Sequence, residues 1–135
     1  MKFLVDANVL SEATKPTPNS MVLNWLSKNE RDLAINPIVL GELEYGIFLL
    51  PPGKKRERLL KWLTSGIQHL EMLVLDTESA REWARLLSEL KRKGHAMPIK
   101  DSLIAASARQ HGFTIATRNT KDFAPAGVKL VNPFE

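Results

Sequence analysis

Four acidic residues, Asp6, Glu42, Asp101 and Asp122, are far apart in the chain but lie where its pattern of elements would gather them. Grouped carboxylates repel one another and bind protons more tightly unless a cation neutralises them. Hard divalent ions take oxygen ligands, and Mg2+ keeps several waters beside one or two carboxylates. The chain has no cysteine, so an acidic cluster points to Mg2+ or Mn2+ rather than zinc. A bound ion of this kind acidifies water and can support hydrolysis of a phosphodiester. The missing cysteines also exclude disulfides, zinc fingers and thiol catalysis. His69, His95 and His111 show no paired ligand spacing and read as surface or structural residues.

Each acid also has a plainer explanation. Asp6 closes the apolar run Phe3-Leu4-Val5, and an Asp at that point is often a turn former or helix cap. Glu42 falls on one helical face with Ile38, Tyr45 and Leu49, where an unpaired carboxylate is costly. Glu44 lies roughly 200° around the helix and is expected to face water. The alternatives for Glu42 are an ion pair or a place at the edge of the stripe. Asp101 shares a face with Ala105 and Ala108 but sits in a first helical turn, where an acid is favoured anyway. Asp122 is expected in the loop after the fourth strand. Asn8, Thr117 and Asn119 stand close by in sequence and could support a site by hydrogen bonds, or serve turns and caps.

The elements that would position these residues are short. Phe3-Leu4-Val5, Leu33-Ala34-Ile35, Met72 to Leu75, Phe113 to Thr117 and Val128 to Val131 read as strands. Helices are expected from about Val9, over Met21 to Lys28, from Asn36-Pro37 to about Leu50 and over Lys54 to Ser65. Two more run from Asp76-Thr77 to about Arg92 and from Ile99 to His111, where Gly112 stops the helix. The Asp76 helix has Ala80, Trp83, Ala84, Leu87 and Leu90 at helical spacing. Trp25, Trp62 and Trp83 all fall on apolar helix faces, where core packing is the first expectation. Short strands alternating with helices imply an α/β fold with a mainly parallel sheet of four to five strands. The 135 residues make one domain, with no internal repeat or linker. Active sites in such sheets form beyond the carboxyl ends of the strands, the edge on which Asp6 and Asp122 fall.

Charge and hydropathy narrow the class further. The 44% hydrophobic content argues against disorder. No apolar run approaches the ~20 residues of a membrane helix, and an acid follows the first three apolar residues too soon for a signal peptide. A cytoplasmic protein is expected, with no membrane contact. The net charge is +4, and withdrawing four acids into one site leaves a more basic exterior, suited to a nucleic acid. Lys100 and Arg118 flank the acidic motifs and are placed for RNA phosphates or for acidic groups of a protein partner. Lys54 to Arg58 and Lys91 to Lys93 are more distant clusters, read as surface salt bridges.

The motifs resemble those of the PIN-domain family, specifically its VapC-like ribonuclease toxins. FLVDANVLSE is similar to the first motif and places Asp6; VLGELEYGI places Glu42; MPIKDSLIAASARQHG places Asp101; TIATRNTKDF resembles the fourth. The closing VKLVNPFE is also similar to family members. The likeness spans nearly the whole chain in order. It implies a three-layer α/β/α fold, a divalent metal and cleavage of single-stranded or loop RNA to 5′-phosphate and 3′-hydroxyl products. It also implies a cognate antitoxin that blocks the site, and a homodimer or larger toxin–antitoxin assembly. Two departures stand out. Ala7 replaces the Thr or Ser of many relatives, and the fourth acid of the family falls at Asn119 in some and at Asp122 in others. Two other readings compete: a PIN-like module that binds RNA or protein without cutting, and a phosphotransfer enzyme or receiver. The second fits poorly, because Asp6-Ala7-Asn8 is not the Asp-x-Asp of a dehalogenase-type phosphatase.

Overall fold

In the computed structural model, which describes the backbone of residues 1–135 and every side chain except that of Gln68, five strands form one parallel sheet. They are β1 (Phe3–Val5), β2 (Leu33–Ile35), β3 (Glu71–Met72), β4 (Thr114–Ala116) and β5 (Leu130–Val131). Their spatial order is β3-β2-β1-β4-β5. β1, β2 and β4 are buried along their whole length, as expected of parallel strands covered on both faces. The helices are α1 (Ala7–Glu12), α2 (Ser20–Lys28), α3 (Pro37–Phe48), α4 (Lys54–Ser65), α5 (Thr77–Lys93), α6 (Ile99–His111) and α7 (Thr120–Phe123). Together they give the parallel α/β fold that the strand–helix alternation predicts, in the α/β/α arrangement that the resemblance implies.

The strand order creates the crevice. From β1 the chain moves outward through β2 to β3, then returns to the other side of β1 as β4. The direction of winding therefore reverses between β1 and β4, and ligands in open parallel sheets bind beyond the carboxyl ends at such a point. Val5 pairs with Ala116 in register. The next residues, Asp6 and Thr117, thus leave the sheet side by side, and Asp6 N donates to Ala116 O at 2.9 Å.

Local chemistry explains the helix starts. Asn19 caps α2 by accepting from Met21 N and Val22 N. Asn36, fully buried, caps α3 by accepting from Val39 N at 2.9 Å. Its amide also donates to Ser107 Oγ on α6 at 3.1 Å. One buried side chain thus ties the end of β2 to two helices, with both its polar ends satisfied.

Several expectations need correction. The third strand ends at Met72 rather than Leu75. Leu73 is buried and its amide reaches Ile35 O at 2.7 Å, but Val74 and Leu75 are exposed. An edge strand has no outer neighbour to prolong it. The fifth strand starts at Leu130 rather than Val128, although Lys129 O still accepts from Ile115 N at 2.9 Å. On α5 the buried positions are Ser79, Leu86 and Leu90, while Ala80 and Ala84 are exposed. Ser79 takes the inner position because its hydroxyl is satisfied there, by Asp76, Val74 O and Gln110. On α3 the core face is Val39, Leu43 and Ile47, not the stripe of Ile38, Glu42, Tyr45 and Leu49; Tyr45 and Leu49 are 65% and 67% exposed. Glu44 is only half-exposed. The two distant basic clusters form no ion pairs among the described residues; Arg56 lies over the Phe48 ring instead.

Candidate active site

Asp6 is the most constrained of the four acids. It is 5% exposed and serves as the N-cap of α1, accepting from Ala7 N on Oδ1 at 2.8 Å. Oδ2 accepts from Thr117 Oγ1 at 2.7 Å and from Asn8 Nδ2 at 3.2 Å. The cap reading and the site reading are therefore both true of one carboxylate. Burial raises its pKa, while the hydrogen bonds from Thr117, Ala7 and Asn8 and the charge of Lys100 oppose the rise. Thr117 Oγ1 in turn accepts from Asn119 N at 3.0 Å, and Asn8 Oδ1 accepts from Arg118 N at 3.2 Å. Asn8 and Thr117 thus hold Asp6 in one orientation at the mouth of the crevice.

Glu42 and Asp101 reach the same crevice from α3 and α6, which pack against each other. A pocket of about 410 Å3 is lined by Asp6, Asn8, Glu42, Lys100, Asp101 and Asn119, with Ala7 and Pro98 completing its wall. Glu42 arrives there from the margin of the helix's core face, not from an apolar stripe. Its Oε2 accepts from Lys100 Nζ at 3.2 Å, while its Oε1 is buried with no hydrogen-bond partner. Asp101 is pushed up to about 6, first by burial and then by the charges of Asp6, Glu42 and Asp122. Lys100 is raised in turn, chiefly by its hydrogen bond to Glu42, with Asp101 and Asp6 adding to it.

These observations bear on whether a cation fits. Among the described residues no three acidic or histidine side chains are set as ligands of one ion. Yet the carboxylate donors are oxygens, one of them is buried and unsatisfied, and Asp6 and Asp101 hold protons more tightly than usual, chiefly through burial and, for Asp101, also through the neighbouring negative charges. That is the chemistry of a site for a hard divalent ion. Lys100 supplies part of the charge, but its side chain is 64% exposed. An exposed pair of this kind is worth ~0–1 kcal/mol, so it yields readily to a better partner.

Asp122 stands apart. It lies on α7, not in a loop, and its side chain is exposed at the rim. It is near enough to influence Asp101 but does not line the pocket, whereas Asn119 does. Sequence reasoning missed Ala7 and Pro98 as wall residues and Ser102 as the acceptor for Trp83 Nε1 at 2.9 Å, one residue beyond Asp101. It also missed Glu12, a 6% exposed acid that pairs with Lys15 at 2.9 Å and accepts from Asn19 N at 2.9 Å. Only the Glu12–Lys15 pair, three residues apart, has a spacing that could have suggested it; the contact between Trp83 and Ser102 leaves no local pattern. The three histidines are exposed, as expected.

Comparison with known proteins gives a consistent outcome. The PIN domain family matches residues 3–128. Toxin FitB of Neisseria gonorrhoeae is 38% identical over 135 residues, covering 97% of each chain. VapC ribonuclease Y4jK of Sinorhizobium fredii is 33% identical, covering 98% of this chain and 97% of its own. The crystal structure of FitAcB from Neisseria gonorrhoeae superposes with a TM-score of 0.91 at 36% identity, covering 98% and 99% of the two chains.

Proposed function

This chain belongs to the PIN-domain family, and from that premise we propose that it is a Mg2+- or Mn2+-dependent endoribonuclease, the toxin of a toxin–antitoxin pair. The observation that carries the reading is the strained acidic pocket: Asp101 crowded by Asp6 and Glu42, with a buried Glu42 oxygen left without a partner. Relatives named as a ribonuclease and as a toxin support the substrate and the role.

Asp6, Glu42 and Asp101 would hold the ion, with Asp122 and Asn119 contributing from the rim. When bound, the ion supplies Lewis acidity toward the scissile phosphate and lowers the pKa of water. The chain's own residues do the rest. Ala7 N, Asn8 and Thr117 fix the direction of the Asp6 carboxylate, so that no reorientation is needed at the moment of reaction. Ala7 offers no hydroxyl, but its amide still orients Asp6 and its methyl lines the pocket. Lys100, released from Glu42, meets a non-bridging phosphate oxygen. Asp101, pushed up to about 6 by burial and its acidic neighbours, would have to be ionised to hold the ion, so binding should weaken as pH falls below about 6.

Purified protein with single-stranded RNA provides the test. Cleavage is expected with Mg2+ or Mn2+ and is expected to stop on addition of EDTA. Equal cleavage with EDTA present overturns the scheme. RNA binding with no cleavage at any metal concentration favours the binding module instead.

The partners are part of the proposal. A groove of about 370 Å3 leads away from Asn8 and Glu42, with Leu43, Ile47, Leu59 and Trp62 in its wall and Lys15 and Lys55 among its lining residues. It suits an apolar antitoxin segment with acidic flanks. Tyr45 and Phe48 on α3, Leu49 just after it and Ile99 on α6 are exposed, apolar side chains of the kind that mark an interface, here a homodimer's. The reading places the protein in the cytoplasm, beside its RNA. No helix among the described residues is long and apolar enough to cross a membrane. Sedimentation of the isolated chain is expected to give a dimer; a monomer at micromolar concentration rules that contact out.

A further inference from the structure

The closing residues of the chain have no role in the scheme so far, yet they touch the site's margin. Phe134 lies under the guanidinium of Arg118, whose Cζ is 4.7 Å from the ring centroid. Phe134 is held there by a turn beyond β5: its amide donates to Asn132 Oδ1 at 3.0 Å, and Pro133 is buried. Arg118 immediately follows Thr117, the residue that grips Asp6, and its own amide is bound to Asn8. Its side chain forms no ion pair and no hydrogen bond among the described residues. Glu12 feels its charge, but that carboxylate is already engaged by Lys15 and Asn19.

A guanidinium with one face on an aromatic ring keeps its N–H edge open. That edge matches two oxygens of one phosphate. Stacking also orders a side chain that would otherwise lose its rotamer freedom on binding. The placement is useful because an acidic pocket repels RNA, so cations are needed at its margin; Lys100 stands beside Asp101, and Arg118 beside Thr117. Resting on the ribonuclease reading, we infer that Arg118 anchors a backbone phosphate of the RNA lying across the pocket, and that Phe134 is its positioning residue. A carboxylate of a protein partner would use the same donors. The phosphate is favoured because the fork stands next to the residues that hold Asp6.

The test uses the full chain, a fluorescently labelled single-stranded RNA of mixed sequence in EDTA, and cleavage of the same RNA with Mg2+. Arg118→Gln is expected to weaken RNA binding about tenfold and to flatten the slope of log affinity against log salt by ~0.7. With Mg2+ it raises KM and leaves kcat nearly unchanged. Phe134→Leu is expected to weaken binding about threefold, Phe134→Trp to restore it, and the double variant to match Arg118→Gln alone. A purely structural Phe134 would instead lower the melting temperature and add to the Arg118 effect, and that result overturns its positioning role. Unchanged RNA binding in Arg118→Gln overturns the anchor, and if the antitoxin complex weakens instead, the fork belongs to the protein partner. Wild-type protein that neither binds nor cuts RNA defeats the ribonuclease reading itself, a result distinct from any change confined to the variants.

Discussion

Asp101→Asn is expected to remove RNA cleavage and, in the same molecule, to raise the melting temperature of the metal-free protein. The loss of activity should exceed about a hundredfold, since mutating groups that merely support metal ligands already costs on the order of 10–100-fold. The gain in stability follows from the crowding. Asp101 is pushed from 3.8 up to about 6 by burial and by Asp6, Glu42 and Asp122. A carboxyl with a raised pKa in the fold favours its neutral form there. Its stabilising contribution is complete below about pH 4 and is lost as pH rises through about 6. At pH 8 the wild-type fold carries an ionised group that its neighbours oppose, and the amide removes that penalty. The variant's advantage in EDTA should therefore be largest near pH 8 and vanish toward pH 4. Mg2+ should raise the wild-type melting temperature, because a ligand that binds only the folded state stabilises it, and should do little for the variant. Thermal melts at both pH values, with and without Mg2+, check each part. A variant less stable than wild type at pH 8 in EDTA would show that Asp101 has a structural role that outweighs the repulsion.

Much of this site was legible because two kinds of signal coincide in it. β1, β2 and β4 are short runs buried throughout, so their composition betrays them. The residues just past β1 and β4 then fall on the carboxyl edge of the sheet whatever the details of the helices. Glu42 lines the pocket, but not for the reason its spacing suggests. Helical spacing groups it with Tyr45 and Leu49, but those two are exposed and the core face is Val39, Leu43 and Ile47. Periodicity finds a helix more readily than it finds the helix's rotation when apolar residues occur on both sides. The same limit displaced the face of α5, where a serine, not an alanine, is buried. What could not be read at all were contacts between residues remote in sequence: Lys100 with Glu42, Asn36 with Ser107, Trp83 with Ser102, Arg118 with Phe134. Each depends on how the layers close, and none leaves a local pattern.

The second large effect is expected at Phe123, next to the one acid that stays outside the pocket. Phe123 heads the fully buried side chains by size and ends the four-residue helix α7, while Asp122 beside it is exposed. A helix this short has no independent stability. Its place is set by burial of the phenyl ring, and the ring therefore also sets where Asn119 and Asp122 stand relative to Asp101. Phe123→Ala should cost ~3–5 kcal/mol, the transfer term plus the cavity left behind. That is a large part of the ~5–15 kcal/mol by which a domain is stable. Phe123→Leu keeps most of the volume and should cost about 1.5 kcal/mol or less. Urea unfolding should show the alanine variant's midpoint far below wild type and the leucine variant's close to it. In the leucine variant, which stays folded, Mg2+-dependent cleavage should persist at reduced rate if α7 carries part of the site. An alanine variant within about 1 kcal/mol of wild type would mean that α7 is held by something other than this ring, and the link from Phe123 to the rim of the site would fail with it.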